Sequence, residues 1–164
     1  MNSVKTYATI CVLLLGFLLC GCSMDFSPGS PFSKNQIAPT FAATDMQGNP
    51  VVLENLRGKM VMLHFWGAGC PHCPEDYPVM RQLYERHFPD ELVIVGINVC
   101  DSAGVIRPYI ERYDMQWPQI LDKDANNAEI EKLYQNSHLP TFVLIGREGK
   151  IIAHTFGCMP RVPL

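Results

Sequence analysis

No basic run occurs in these 164 residues, and the formal net charge is only −3. The electrostatic footprint of a nucleic-acid binder is therefore missing. No internal repeat or low-complexity block follows residue 36, so a single domain is the economical reading. The N-terminal apolar run, Ala8 to Leu19, is interrupted by Thr9 and Gly16. It falls short of the roughly 20 residues a membrane-crossing helix needs. One Cys-x-x-Cys is present, but no second one and no Cys-x-x-His completes the four ligands of a zinc site, so no metal is expected. What remains is 48% hydrophobic residues, enough for a chain of this length to bury a sizeable core.

Lys5 ahead of a short apolar run has the form of an export signal. The run ends in Leu19-Cys20-Gly21-Cys22-Ser23, which resembles the lipobox of bacterial lipoproteins. Cys22, with Gly21 before it and Leu19 three back, fits the lipid-bearing position better than Cys20, which follows bulky Leu19. The alternatives are an uncleaved anchor or a plain secretory signal, and each of them exports the domain. The expected organisation is a signal over 1–21, a flexible tether over 22–35 and one domain over 36–164, lipid-anchored outside the cytoplasm. As a Ser-, Pro- and Gly-rich coil the tether would reach roughly 20 Å on average. Cys70, Cys73, Cys100 and Cys158 remain in the domain.

Within the domain, Thr40-Thr44 and Val51-Leu53 flank Asp45–Pro50 as a hairpin, and Arg57-Gly58-Lys59 makes a turn. Met60–Trp66 and Leu92–Val99 are almost wholly apolar, as strands covered on both faces are. A helix is expected from Pro71, in the first turn, to about Phe88, with Tyr77, Met80, Leu83, Tyr84 and His87 along one side. Ala103–Tyr113 reads as a helix despite Pro108, and Ala125–Tyr134 as a short one with Ile130, Leu133 and Tyr134 inward. Thr141–Ile145 and Lys150–Thr155 form a closing hairpin. Strands alternating with helices give a mixed α/β sheet flanked by helices.

Cys70-Pro71-His72-Cys73 joins the buried Met60–Trp66 strand to that first helix. A thiol at a helix start meets unpaired N–H groups and the positive end of the dipole, which favours its thiolate. The pair therefore reads as a working redox couple.

Together with Ala38-Pro39-Thr40-Phe41, Leu56-Arg57-Gly58-Lys59, Phe65-Trp66-Gly67, Pro78 and Leu139-Pro140-Thr141-Phe142, this motif resembles the thioredoxin superfamily. Within it the chain resembles the membrane-anchored TlpA/ResA-like thiol–disulfide oxidoreductases, related to the AhpC/TSA redoxins, over about residues 36–157. The resemblance implies a thioredoxin-like fold with an added N-terminal hairpin. It also implies an exposed attacking thiol at Cys70, a buried resolving thiol at Cys73 and a cis peptide before Pro140, set against the motif to help pair substrate backbone. The couple is the Cys70–Cys73 disulfide, and no further cofactor is implied. The partners would be protein thiols or disulfides and a membrane or extracytoplasmic redox protein.

Other positions carry two readings each. His72 either lies exposed or stabilises the Cys70 thiolate, and Pro-His resembles the dipeptide of the oxidising DsbA proteins. Asp76 matches a position where several relatives place a Glu near the resolving Cys; it either takes the Cys73 proton or is a favourable charge in the first helical turn. Glu75 is expected as a solvated carboxylate. His64 stands where thioredoxins proper carry a buried Asp, and is either a hydrogen-bonded core residue or a proton shuttle. Trp66 packs beside the site, and Gly69 replaces the usual Trp. Cys100 is expected as a buried thiol and Cys158 as a more exposed one, able to pair between molecules. Gly157–Leu164 is too short and proline-rich to be the family's C-terminal helix, which predicts an uncovered sheet face and self-association.

The function implied is thiol–disulfide exchange with exported proteins, including reduction of apocytochrome c. A peroxiredoxin-type peroxidase is the first alternative, but Gly67, Ala68 and Gly69 stand where its Thr or Ser would be. A Sco-like copper carrier is the second, and here the thiols are one residue too close.

Overall fold

A computed structural model describes residues 26–123 and 129–160. The expected signal, the Cys22 site and residues 161–164 lie outside that range, as do residues 124–128, where the expected short helix begins. At the centre, β3 (Met60–Trp66) and β4 (Leu92–Asn98) are buried at all seven positions each. They pair in parallel from Met60↔Leu92 to Trp66↔Asn98. Parallel neighbours require a crossover, which α1 (Cys73–His87) supplies. After β4 the chain forms α2 (Ala103–Arg112) and then β5 (Gln119–Leu121), parallel to β4 on its outer edge. A single turn, α3 (Ile130–Leu133), precedes the antiparallel hairpin of β6 (Thr141–Ile145) and β7 (Ile151–Phe156). The sheet order is β5-β4-β3-β6-β7. A separate hairpin pairs β1 (Ala42–Thr44) with β2 (Pro50–Val52). The mixed sheet and the added N-terminal hairpin are those the sequence predicts; β5 is an additional strand, too short to show a period.

Side chains alternate along β3 and build two cores. Val61, Leu63 and Phe65 pack with Phe32, Phe41, Ile130 and Tyr134 on one face. Met60, Met62 and Trp66 pack with Cys73, Tyr77, Met80, Ile106 and Trp117 on the other, beneath α1 and α2. The redox motif therefore grows out of the centre of the sheet. Among the described residues no helix is long and apolar enough to cross a membrane.

Three expectations are corrected. First, residues 26–35 are not a free coil. They run antiparallel beside β7: the Ser27 N–H donates to His154 O at 2.8 Å, the Phe156 N–H to Ser27 Oγ at 3.0 Å, and the Asn35 N–H to Ile151 O at 2.8 Å. Phe32 is buried, and Ser30 Oγ lies 2.8 Å from His154 Nδ1. Composition argued for flexibility, but the open edge of β7 offers backbone partners and Phe32 an apolar anchor. Second, α1 begins at Cys73 with Pro74 in its first turn, so Pro71 precedes the helix instead of opening it. Third, Leu133 is exposed while Ile130 and Tyr134 are buried, because α3 lasts only one turn and presents one side to the core.

Candidate active site

Trp66 closes β3 and fixes the start of the reactive loop. Its Nε1–H donates to Gln119 Oε1 at 2.9 Å, and its ring stacks on Tyr109 with centroids 5.5 Å apart. Gly96 faces that amide, and a Cβ there would collide with it. The loop then tightens as the Cys70 N–H donates to Gly67 O at 3.1 Å. Cys70 and Cys73 are joined as a disulfide, with Cα atoms 5.5 Å apart. The Cys73 N–H, at the start of α1, donates to Cys70 Sγ at 3.2 Å. That places the Cys70 sulfur where an unpaired helix-end N–H can stabilise negative charge. Cys70 retains 7% of its surface and Cys73 none, so the order of accessibility is the expected one. Cys70 is nevertheless far more enclosed than the exposed thiol the resemblance implies.

The Leu139–Pro140 peptide is cis. The register Phe65↔Thr141 sets this corner beside the end of β3. The Gly157 N–H donates to Pro140 O at 2.8 Å, and Thr141 Oγ1 donates to His138 O at 2.7 Å, holding the loop from both sides. Leu139 reaches the reactive loop: a Cβ on Gly67 would lie 3.3 Å from its Cδ1.

From β4 comes a polar clamp that sequence reading misses. Asp101 Oδ2 accepts from the Ala68 N–H at 2.7 Å and from Asn98 Nδ2 at 2.9 Å. Asn98 Oδ1 in turn accepts the Asp101 N–H at 2.8 Å. The only signal in the sequence is a polar Asn ending an otherwise apolar strand. The same turn corrects Cys100, which is exposed, whereas Cys158 is half-buried. The strand ends at Asn98, so strand alternation no longer governs position 100.

His72 lies outside the sulfur pair, with Nδ1 3.1 Å from Glu75 Oε1; both side chains are mostly exposed. Asp76, in the first turn of α1, is half-buried. Burial pushes its carboxyl up to about 6, the Met159 N–H opposes the rise and the Glu75 charge adds to it. His64 is fully buried under α1, stacked on Phe142 at 4.8 Å and edge-on to Tyr77 at 5.9 Å. Among the described residues neither of its ring nitrogens has a hydrogen-bond partner, so the hydrogen-bonded core His expected here is not formed. Burial lowers its pKa to about 3, which leaves a neutral imidazole with little capacity as a base.

The AhpC/TSA family pattern matches residues 35–154. Among curated proteins, the thiol-disulfide oxidoreductase ResA of Bacillus subtilis is 34% identical over 135 residues, covering 82% of this chain and 73% of its own length. That of Bacillus cereus is 31% identical over 132 residues, covering 80% and 75%. Among solved structures, the thioredoxin domain of a thiol-disulfide oxidoreductase from Bacteroides vulgatus superposes with a TM-score of 0.66 at 28% identity, covering 75% of this chain and 88% of that one. A thiol:disulfide interchange protein from Bacteroides sp. gives 0.66 at 27%, covering 75% and 81%.

Proposed function

Because the chain belongs to the AhpC/TSA family and, within the thioredoxin superfamily, to its ResA/TlpA-like thiol–disulfide oxidoreductases, we propose that it reduces disulfides of exported proteins, apocytochrome c among them, from a lipid anchor at Cys22. The observation that carries this reading is the Cys70 sulfur at the start of α1, receiving the Cys73 N–H with the Pro140 corner alongside the end of β3.

In the reduced protein the Cys70 thiolate attacks one sulfur of a substrate disulfide. A Cys70–substrate bond forms and the other substrate sulfur leaves as a thiolate. Cys73 loses its proton and attacks Cys70 Sγ, closing the Cys70–Cys73 disulfide and releasing the second substrate thiolate. Two electrons pass from the dithiol to the substrate, and a dithiol partner outside the cytoplasm restores the starting state. Asp76 is the proton acceptor of the second step: burial has already brought its affinity close to neutral pH. Glu75 supports the reducing direction, since its carboxylate, 3.1 Å from Nδ1, gives His72 a partner other than the sulfur pair.

Cys70→Ser is expected to abolish exchange, and Cys73→Ser to accumulate mixed disulfides with exported proteins, read by diagonal electrophoresis. The potential of the couple is expected nearer the thioredoxin value of about −270 mV than the DsbA value of about −120 mV. A value at the oxidising end would reverse the assigned direction.

A further inference from the structure

One oxygen of Asp101 serves three donors: Oδ2 takes the Ala68 N–H at 2.7 Å, Asn98 Nδ2 at 2.9 Å and the Cys100 thiol at 3.5 Å. Two of these donors bear on exchange chemistry. Ala68 belongs to the loop that delivers Cys70, next to Gly67, whose carbonyl holds the Cys70 N–H. Cys100 is an exposed thiol resting on that same loop: a Cβ on Gly67 would stand 2.6 Å from its sulfur.

We propose that Asp101 is a positioning residue for thiol–disulfide exchange with two tasks, fixing the backbone that aims Cys70 and holding Cys100 as an unreactive thiol at the rim of the site. The proposal rests on the exchange activity assigned above.

A third thiolate at this rim would interfere. Attacking the substrate sulfur of a Cys70–substrate disulfide, it would form a Cys100–substrate bond and expel the Cys70 thiolate, with no net transfer of electrons to the substrate. The new linkage no longer includes the sulfur that Cys73 attacks, so turnover would stall. Only the thiolate is nucleophilic, so the protein avoids this by keeping Cys100 protonated. Four influences act on Cys100. Burial raises its pKa most, the charge and hydrogen bond of Asp101 raise it further, Lys123 after β5 opposes them, and Glu131 on α3 adds to them. Asp101 is well placed to act as a fixed anion. Burial would raise its own pKa, but the bonds from Ala68, Asn98 and Cys100 prevail and hold it below the usual carboxylate range.

The test uses the full chain in detergent. With Cys70 and Cys73 oxidised, iodoacetamide labelling across pH is followed at Cys100 and Cys158 separately by peptide mass spectrometry. Cys100 is expected to label with a midpoint above the ordinary thiol value of about 8.5. Asp101→Asn should lower that midpoint and label several-fold faster at pH 7.5. In a Cys100→Ser background, Asp101→Ala should slow closure of Cys70–Cys73 by a soluble aromatic disulfide about tenfold, and Asp101→Asn should recover most of the rate. Identical labelling of Cys100 with and without the carboxylate overturns the guarding role. An undiminished rate for Asp101→Ala overturns the positioning role. A parent protein inert toward the disulfide overturns the exchange activity itself, and this inference with it.

Discussion

In the proposed mechanism, Asp76 is the residue on which the pH dependence of turnover turns. Its carboxyl is pushed up to about 6 mainly by burial, so it changes charge close to neutral pH. The step in which Cys73 resolves the mixed disulfide is expected to accelerate as pH rises through about 6. Asp76→Asn should erase that inflection and slow the step about 100-fold at pH 7, as loss of a general base does. Rapid-mixing measurement of resolution from pH 5 to 8 reads both effects, and a retained inflection would move the proton elsewhere. Asp76 is singled out in the sequence because it resembles the position where several relatives place a Glu near the resolving Cys. Asn98 and Asp101 are not, because a polar pair ending a strand looks like any solvated turn until the partner N–H of Ala68, some thirty residues earlier, is in view. Cys100 is misplaced for a related reason: the apolar run reads through Val99, but the pairing stops at Asn98.

At the level of elements, apolar patterning locates β3, β4, α1 and the β6–β7 hairpin, the two central strands as unbroken apolar runs. It fails where an element exists through contacts with something remote. Residues 26–35 have the composition of a linker, and only the free edge of β7 and the pocket for Phe32 make them a strap. Phe32→Ala should cost about 3 kcal/mol of stability. It should also expose the 26–36 segment to limited proteolysis while leaving Cys70–Cys73 exchange intact, because the strap does not touch those sulfurs. Unchanged protection of the segment in this variant would mean that backbone pairing alone secures it.

For the whole molecule, two buried histidines set the response to acid. His64 and His154 have pKa values lowered by burial to about 3 and about 4, below an unfolded value of 6.5. Each depressed group contributes stability that is complete above its unfolded value and is lost as pH falls toward its folded value. The molecule should therefore weaken progressively from pH 6.5 down to 4. Asp76 acts with the opposite sign: its raised value adds stability at low pH that disappears as pH climbs through about 6. Being half-exposed, it is the weaker contributor. Denaturant unfolding at pH 7 and pH 4.5 is expected to show a loss of a few kcal/mol, largely abolished in the pair His64→Leu and His154→Gln. An equal loss in that double variant would place the acid sensitivity in other groups.

The strap also changes what the proposed lipid anchor would do. A coil over 22–35 would have let it swing freely, but only four peptide steps separate Cys22 from Phe26, a span of at most about 14 Å. Because the strap runs antiparallel to β7, it begins at Phe156, the residue paired with Thr141 next to the cis Pro140 corner. In the proposed anchored form, a lipid on Cys22 would tie the domain down by the same end of the sheet that carries its thiols. So anchored, the reactive pair would sweep a thin layer of solvent just above the bilayer, and chains emerging from the membrane would meet it before those that have diffused away.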